Sequence, residues 1–256
     1  NKGAAIFKIL QFAEETTLLL GSIEELEPAK KAIDRWCTAT GMKENLSKRE
    51  GLAMGKYRTS LRGTLHGVKW APEGGWCTSL GVPIGNDMSD SLWWADKINE
   101  VRAKVDKWRG LDRVKFSGRA TLVQAYYYGR MRYWAYSLLQ DNKTMAVIQR
   151  DADVLTWASE PSLNVQDKGE DLEKTEQRFR GWVASKTAIG PRSKGGLNKM
   201  DWKIHTESFL AEWVMRYLQP GEAGWKKIWD MYILKDNQGR TRHPEGRNVL
   251  LHNLSA

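Results

Sequence analysis

Near residue 87 the apolar residues of this sequence change to a succession of long helical patterns, and that change limits what the chain can fold into. Before it, short runs of strand-favouring residues are punctuated by glycines. After it, Trp94, Ile98, Val101, Val105 and Trp108 follow one another at steps of four and three. That spacing places them on one helix face, with Lys97, Lys104, Lys107 and Arg109 largely elsewhere. Strands gathered in one part of a chain and helices in another predict the α+β class.

Within the first part, Ala4 to Leu10 and Thr16 to Leu20 read as two strands, with Phe12-Ala13-Glu14-Glu15 between them. This predicts a hairpin carrying two acids at its tip. The strand-like run starts so close to Asn1 that the sequence reads as opening inside a domain. Ser22 and Glu25 have capping-box spacing, and Leu26, Ala29, Ile33 and Trp36 continue at helical spacing to Gly41, a C-terminal stop. Pro72-Glu73-Gly74-Gly75 reads as a turn between short strands in a small β-hairpin layer over Gly51 to Gly85.

Three helices follow: one ended by Gly110, one capped by Ser117 and running to Leu138, and one from Thr144 to Trp157. Ala158 to Gln177 is charged and poor in large apolar groups, so it reads as a linker. Beyond it, Phe209 to Tyr217 predicts an amphipathic helix, Trp225 to Leu234 a shorter one, and Gly239 to Arg247 a basic loop. The expected division is therefore 1–86, 87–159 and 160–256.

Charge narrows the function. Lysine and arginine number 40 against 31 acidic residues, a net charge of +9, and the chain carries 13 tryptophans. Basic and aromatic together favour a polyanionic partner, with nucleic acid ahead of an acidic membrane. No apolar run approaches the roughly twenty residues that span a bilayer, and no leader is seen. Cys37 and Cys77 are too far apart in sequence for a zinc knuckle, and a reducing compartment is expected. The sequons at Asn45, Asn142 and Asn253 then read as chance. His66, His205, His243 and His252 lack metal spacing, and Gly51 to Tyr57 is one residue short of a phosphate loop.

Adjacent carboxylates on a tight hairpin are a means of holding divalent metal where a phosphoryl group is transferred. The string Leu10-Gln11-Phe12-Ala13-Glu14-Glu15-Thr16-Thr17-Leu18 resembles the metal-binding hairpin of reverse transcriptases, where aromatic-Ala-Asp-Asp stands between apolar strands. Thr40-Gly41-Met42-Lys43-Glu44-Asn45-Leu46-Ser47-Lys48 is similar to the segment after that hairpin in the non-LTR retrotransposon (LINE-type) enzymes. Ser79-Leu80-Gly81-Val82-Pro83-Ile84-Gly85 resembles their primer-grip turn, and Lys107-Trp108 and Ser117-Gly118-Arg119 resemble pairs in their thumbs. Gly195-Gly196-Leu197, Asp201-Trp202 and Trp213 to Tyr217 resemble, more loosely, the region after the thumb.

The resemblance implies the end of a reverse-transcriptase palm, a helical thumb and a basic helical region. It implies an RNA-directed DNA polymerase that uses Mg2+ with an RNA template and a DNA primer, in the nucleus or cytoplasm. Glu14 and Glu15 would take the metal-binding positions, and Lys48 that of a lysine assisting nucleotide closure or pyrophosphate protonation. Leu80, Gly81 and Val82 would touch the primer. Lys97, Arg102, Lys104, Lys107, Arg109, Arg113, Lys115 and Arg119 outnumber the three acids in that stretch and would follow the template–primer backbone.

The chain departs from the family where chemistry is most exacting. Both hairpin acids are glutamate, whose extra methylene moves the carboxylate by roughly 1 Å, a displacement worth about a hundredfold in a positioned reaction. A further metal-binding aspartate of the family comes from an upstream strand that these 256 residues do not supply. The expectation is a chain inactive on its own. The alternatives are a non-catalytic template–primer binding module and a decayed retroelement remnant.

Overall fold

The computed structural model describes residues 9–105, 113–158 and 182–227. The described residues are of mixed α and β structure, with three small sheets and a set of helices. The chain divides between Lys203 and Ile204 into two units.

Strands β1 (Ile9–Phe12) and β2 (Glu15–Leu18) pair antiparallel, with Phe12 opposite Glu15. The turn is therefore Ala13-Glu14, so the two acids do not share the tip: Glu14 is in the turn and Glu15 opens β2. Ala13 has φ 50°, a left-handed conformation that costs an L-residue about 1–2 kcal/mol. The chain then passes through a 3-10 turn, Ile23–Glu25, into α1 (Leu26–Thr40).

This turn corrects the expected capping box. With the α-helix starting at Leu26, Ser22 makes no side-chain cap, and the Glu25 carboxylate accepts the backbone N–H of Gly21 instead. Pro28 falls on the third residue of α1, where no intrahelical N–H bond is lost. Gly41, at φ 73°, ends the helix as expected.

A second sheet has the order β3 (Glu50–Gly51), β5 (Val68–Trp70), β4 (Gly63–Leu65), with β3 parallel to β5. The Pro72 to Gly75 turn forms, Gly75 N–H donating to the Pro72 carbonyl at 2.9 Å. Beyond it, β6 (Trp76–Ser79) and β7 (Val82–Gly85) make a hairpin whose two-residue turn is Leu80-Gly81. The Thr78 N–H donates to Glu50, which ties this hairpin to β3.

The helical part begins with α2 (Asp90–Val105). Trp94, Ile98, Val101 and Val105 are buried as their spacing predicts, and Trp93 joins them. The stretch from α3 (Phe116–Leu122) to α4 (Gly129–Ala135) is interrupted by a π-helical turn, Val123–Tyr128. The expected Ser117 cap is displaced: Lys115 stands at the N-cap position, and Ser117 lies inside α3. Arg119 explains the earlier start. Its guanidinium is buried and donates to the carbonyls of Val114 and Ala158, which holds the first turn against the end of α5 (Asn142–Trp157). Asp141 caps α5 by accepting the Thr144 N–H at 2.6 Å.

A buried polar cluster joins these helices. Arg102 donates from Nε and Nη2 to Asp151 at 2.7 and 2.8 Å, and the Tyr127 hydroxyl donates to the same carboxylate at 2.8 Å. Three donors satisfy a carboxylate that would otherwise be costly to bury. Burial and the Asp151 charge together hold the Tyr127 phenol well above its usual range.

The linker expected at 158–177 lies almost wholly outside the described residues. Where the description resumes, α6 (Ser185–Ile189) and the loop after it pack on the bundle. Gly196 lets this loop close on itself, because a Cβ there would lie 1.9 Å from the Gly190 carbonyl oxygen. Lys199 pairs with Asp153, and burial pushes the Asp153 carboxyl upward against that cation's pull. Trp202 is fully buried, stacks on Tyr128 with 5.0 Å between centroids, and donates Nε1–H to Gln140. The compact unit thus extends past the expected boundary at 160, as far as Lys203.

The helix α7 (Trp202–Leu218) runs on into the second unit, as the Phe209 to Tyr217 pattern predicts. There Trp213 and Tyr217 meet Trp225 at 5.7 and 6.4 Å between ring centroids. Most of the expected Trp225 to Leu234 helix and all of the Gly239 to Arg247 loop lie outside the described residues. Among the described residues no helix is long and apolar enough to cross a membrane.

Candidate functional site

The Leu80-Gly81 turn is the point where the separate parts of the larger unit meet. Ser79 pairs with Val82, so Leu80 and Gly81 are the two turn residues, at φ 50° and 72°. Two consecutive left-handed residues are the geometry of a type I′ turn, a place usually taken by Asn-Gly or Asp-Gly. Leucine pays a conformational penalty there of about 1–2 kcal/mol.

Both peptide groups of Leu80 are clamped. Its N–H donates to Glu15 Oε2 at 2.8 Å, and its carbonyl accepts the Tyr133 hydroxyl of α4. Thr17 and Ser79 hydroxyls meet at 3.3 Å beside them. Thus β2 on one side and α4 on the other hold a strained turn whose Leu80 side chain remains exposed. Strain kept in place by surrounding contacts is typical of positions that meet a ligand.

Two of the sequence-predicted groups are therefore brought together: Glu15 of the acid pair and the Leu80-Gly81-Val82 turn. Glu14 stands exposed in its own turn. Lys48 ends a 3-10 turn, Leu46–Lys48, capped by Asn45, and is exposed. Among the described residues no group of three or more His, Cys, Asp or Glu is placed to hold a metal ion. A magnesium pair needs near-octahedral oxygen donors. Here one carboxylate oxygen of Glu15 already accepts a backbone N–H, and among the described residues no further acid joins Glu14 and Glu15. The residues present do not make a site that fits the two-metal group.

The predicted basic track divides. Arg102 and Arg119 face inward, one onto Asp151 and the other onto the Val114 and Ala158 carbonyls. These two are corrected from backbone contacts to packing residues, because Arg119 is buried on two carbonyls and the partly buried Arg102 is taken up by Asp151. Lys97 and Lys104 both donate to Glu100, and the two ammonium groups depress the Glu100 carboxyl to about 2. Arg113 and Lys115 are exposed, and Lys107 and Arg109 lie outside the described residues.

Lys97 of the predicted basic track and several residues that sequence reasoning passed over complete the site. Tyr133 is the bundle's contact with the turn. A cavity of about 240 Å³ opens beside Gly81, lined by Trp76 and Thr78 of β6, Trp93, Asp96 and Lys97 of α2, and Trp134 of α4. The Trp93 and Trp134 rings meet edge to face at 5.5 Å, and Lys97 Nζ lies 5.8 and 5.6 Å from their centroids. The one signal in the sequence was the density of aromatics in Tyr126-Tyr127-Tyr128 and Tyr133-Trp134, which does not say which rings face inward.

No known protein family, no curated protein and no solved structure matches the chain.

Proposed function

We propose that the chain is the end of the palm and the thumb of a LINE-type reverse transcriptase, and that it grips a template–primer duplex without polymerising on its own. The observation that carries this reading is the Leu80-Gly81 turn, held by Glu15 from the hairpin and by Tyr133 from the bundle. A turn that presents a strained backbone between a sheet and a helical domain suits contact with a primer strand. The exposed cations Arg113 and Lys115, with Lys97 and Lys104 beside Glu100, suit attraction of phosphates.

The test is binding of a labelled RNA–DNA template–primer by fluorescence anisotropy across a salt series, with nucleotide incorporation in magnesium measured in parallel. The expected result is duplex binding that weakens with salt, the logarithmic slope being about −0.9 per phosphate contact, and no incorporation. Absence of duplex binding at low salt overturns the reading. Incorporation overturns the claim that the chain is inactive alone.

A further inference from the structure

We propose that the cavity beside Gly81 takes the base of an unpaired guanine nucleotide. The assignment rests on the proposed function only in taking nucleic acid as the partner class. Its volume, about 240 Å³, falls below the roughly 300–1,000 Å³ of sites that enclose drug-sized ligands, so it suits a single planar ring system. Trp76 and Trp134 line it beside the buried Trp93, and indoles are the side chains on which unstacked bases rest.

The two charged lining groups choose among ring systems. Trp93 and Trp134 already face the Lys97 ammonium, so a cationic ligand would be placed beside a resident cation and repelled. A neutral ring avoids that conflict. Asp96 is exposed at the cavity and has no hydrogen-bond or ion-pair partner among the described residues. An ionised carboxylate only accepts hydrogen bonds. Guanine is the base whose Watson–Crick edge offers two parallel donors, N1–H and N2–H, to one carboxylate. Adenine and cytosine each set a ring-nitrogen acceptor beside their amino group, and uracil sets a carbonyl on each side of its N3–H, so all three oppose Asp96. Lysine in turn is a donor suited to guanine O6 and N7. Asp96 and Lys97 therefore match the donor and acceptor edges of one base.

The position gives the base a role. Gly81 belongs both to the clamped turn and to the cavity lining, so a strand held at the turn has an unpaired neighbour within reach of the indoles.

The experiment uses the full chain and labelled six-nucleotide single strands, five uridines with one guanosine, adenosine or cytidine, and six uridines as reference; a deoxyguanosine version distinguishes RNA from DNA as the source. The template–primer duplex is titrated alongside. The guanosine strand should bind tightest, by roughly tenfold or more over the others. Asp96→Asn should abolish that preference while leaving circular dichroism unchanged, because Asp96 makes no hydrogen bond or ion pair among the described residues. Trp76→Ala should weaken all four strands. Equal affinity for the four wild-type titrations, or a guanine preference that survives Asp96→Asn, overturns the proposal. Duplex binding without guanine preference sinks the cavity assignment and leaves the proposed function standing; guanine preference without duplex binding does the reverse.

Discussion

In the β1–β2 hairpin, Ile9, Leu10 and Phe12 are 61%, 53% and 69% exposed; in the bundle, Trp93 and Trp94 are 2% and 1% exposed. The two regions belong to one compact unit and use apolar residues in opposite ways. The bundle closes a core around its tryptophans and satisfies its buried charges internally, whereas the hairpin is held by strand pairing and by polar ties through Glu15 and Thr17. Stability resides in the bundle. The hairpin's contribution is to position a turn.

Substitutions can break this contrast. Asp151→Ala should have the largest effect, about 3 kcal/mol of unfolding free energy in urea, because it removes the anion of the partly buried Arg102 guanidinium and leaves the fully buried Tyr127 hydroxyl without its acceptor. A loss under about 1 kcal/mol would mean that the bundle does not depend on the cluster. Glu15→Ala should cost about 1 kcal/mol or less, yet it should speed hydrogen exchange at the Leu80 amide by removing its acceptor. Unchanged exchange there would show that Tyr133 alone holds the turn.

The acid limb of stability supplies a third measurement. Glu100 titrates at about 2 in the folded chain, below its ordinary value of 4.5, held there first by Lys104 and then by Lys97. A depressed carboxyl stabilises the fold above its unfolded value, and that contribution is lost as the pH falls from about 4.5 towards 2. Solvent screening at the partly exposed Glu100 keeps it below about 1 kcal/mol. Glu100→Gln should flatten that part of the pH profile; an unaltered profile would assign the acid limb to other carboxyls. Smallest of all, Phe12→Ser should change stability by less than about 0.5 kcal/mol, and a larger loss would reveal a core under the hairpin.

How much of this was legible follows from the range of the forces involved. The face of α2 as far as Val105, the stop at Gly41 and the Pro72 to Gly75 turn are written in local spacing and local backbone preference, and they form as read, while Trp108 and the Gly110 stop lie outside the described residues. Arg102 could not be told from a surface cation, because its partner Asp151 is 49 residues away and nothing local marks the pair. Leu80 gave no turn signal of its own, since leucine is not a left-handed residue by preference and only Glu15 and Tyr133 keep it there. The Gly195 to Trp202 segment reads equally as a Gly-rich loop before another amphipathic helix, and nothing local shows that Lys199 and Trp202 reach Asp153 and Tyr128, far back in the chain.

The π-helical turn over Val123–Tyr128 acts on everything after it as an added tooth acts on a gear. One extra residue in a helix rotates the following side chains by about 100°. It is this offset that lets the adjacent Tyr127 and Tyr128 both turn inward while Tyr133, one and a half turns on, still reaches the Leu80 carbonyl. A chain of the same architecture without the bulge would be one residue shorter between Phe116 and Ala135, so any alignment drawn through this helix without a gap would pair Tyr133 with the wrong neighbour.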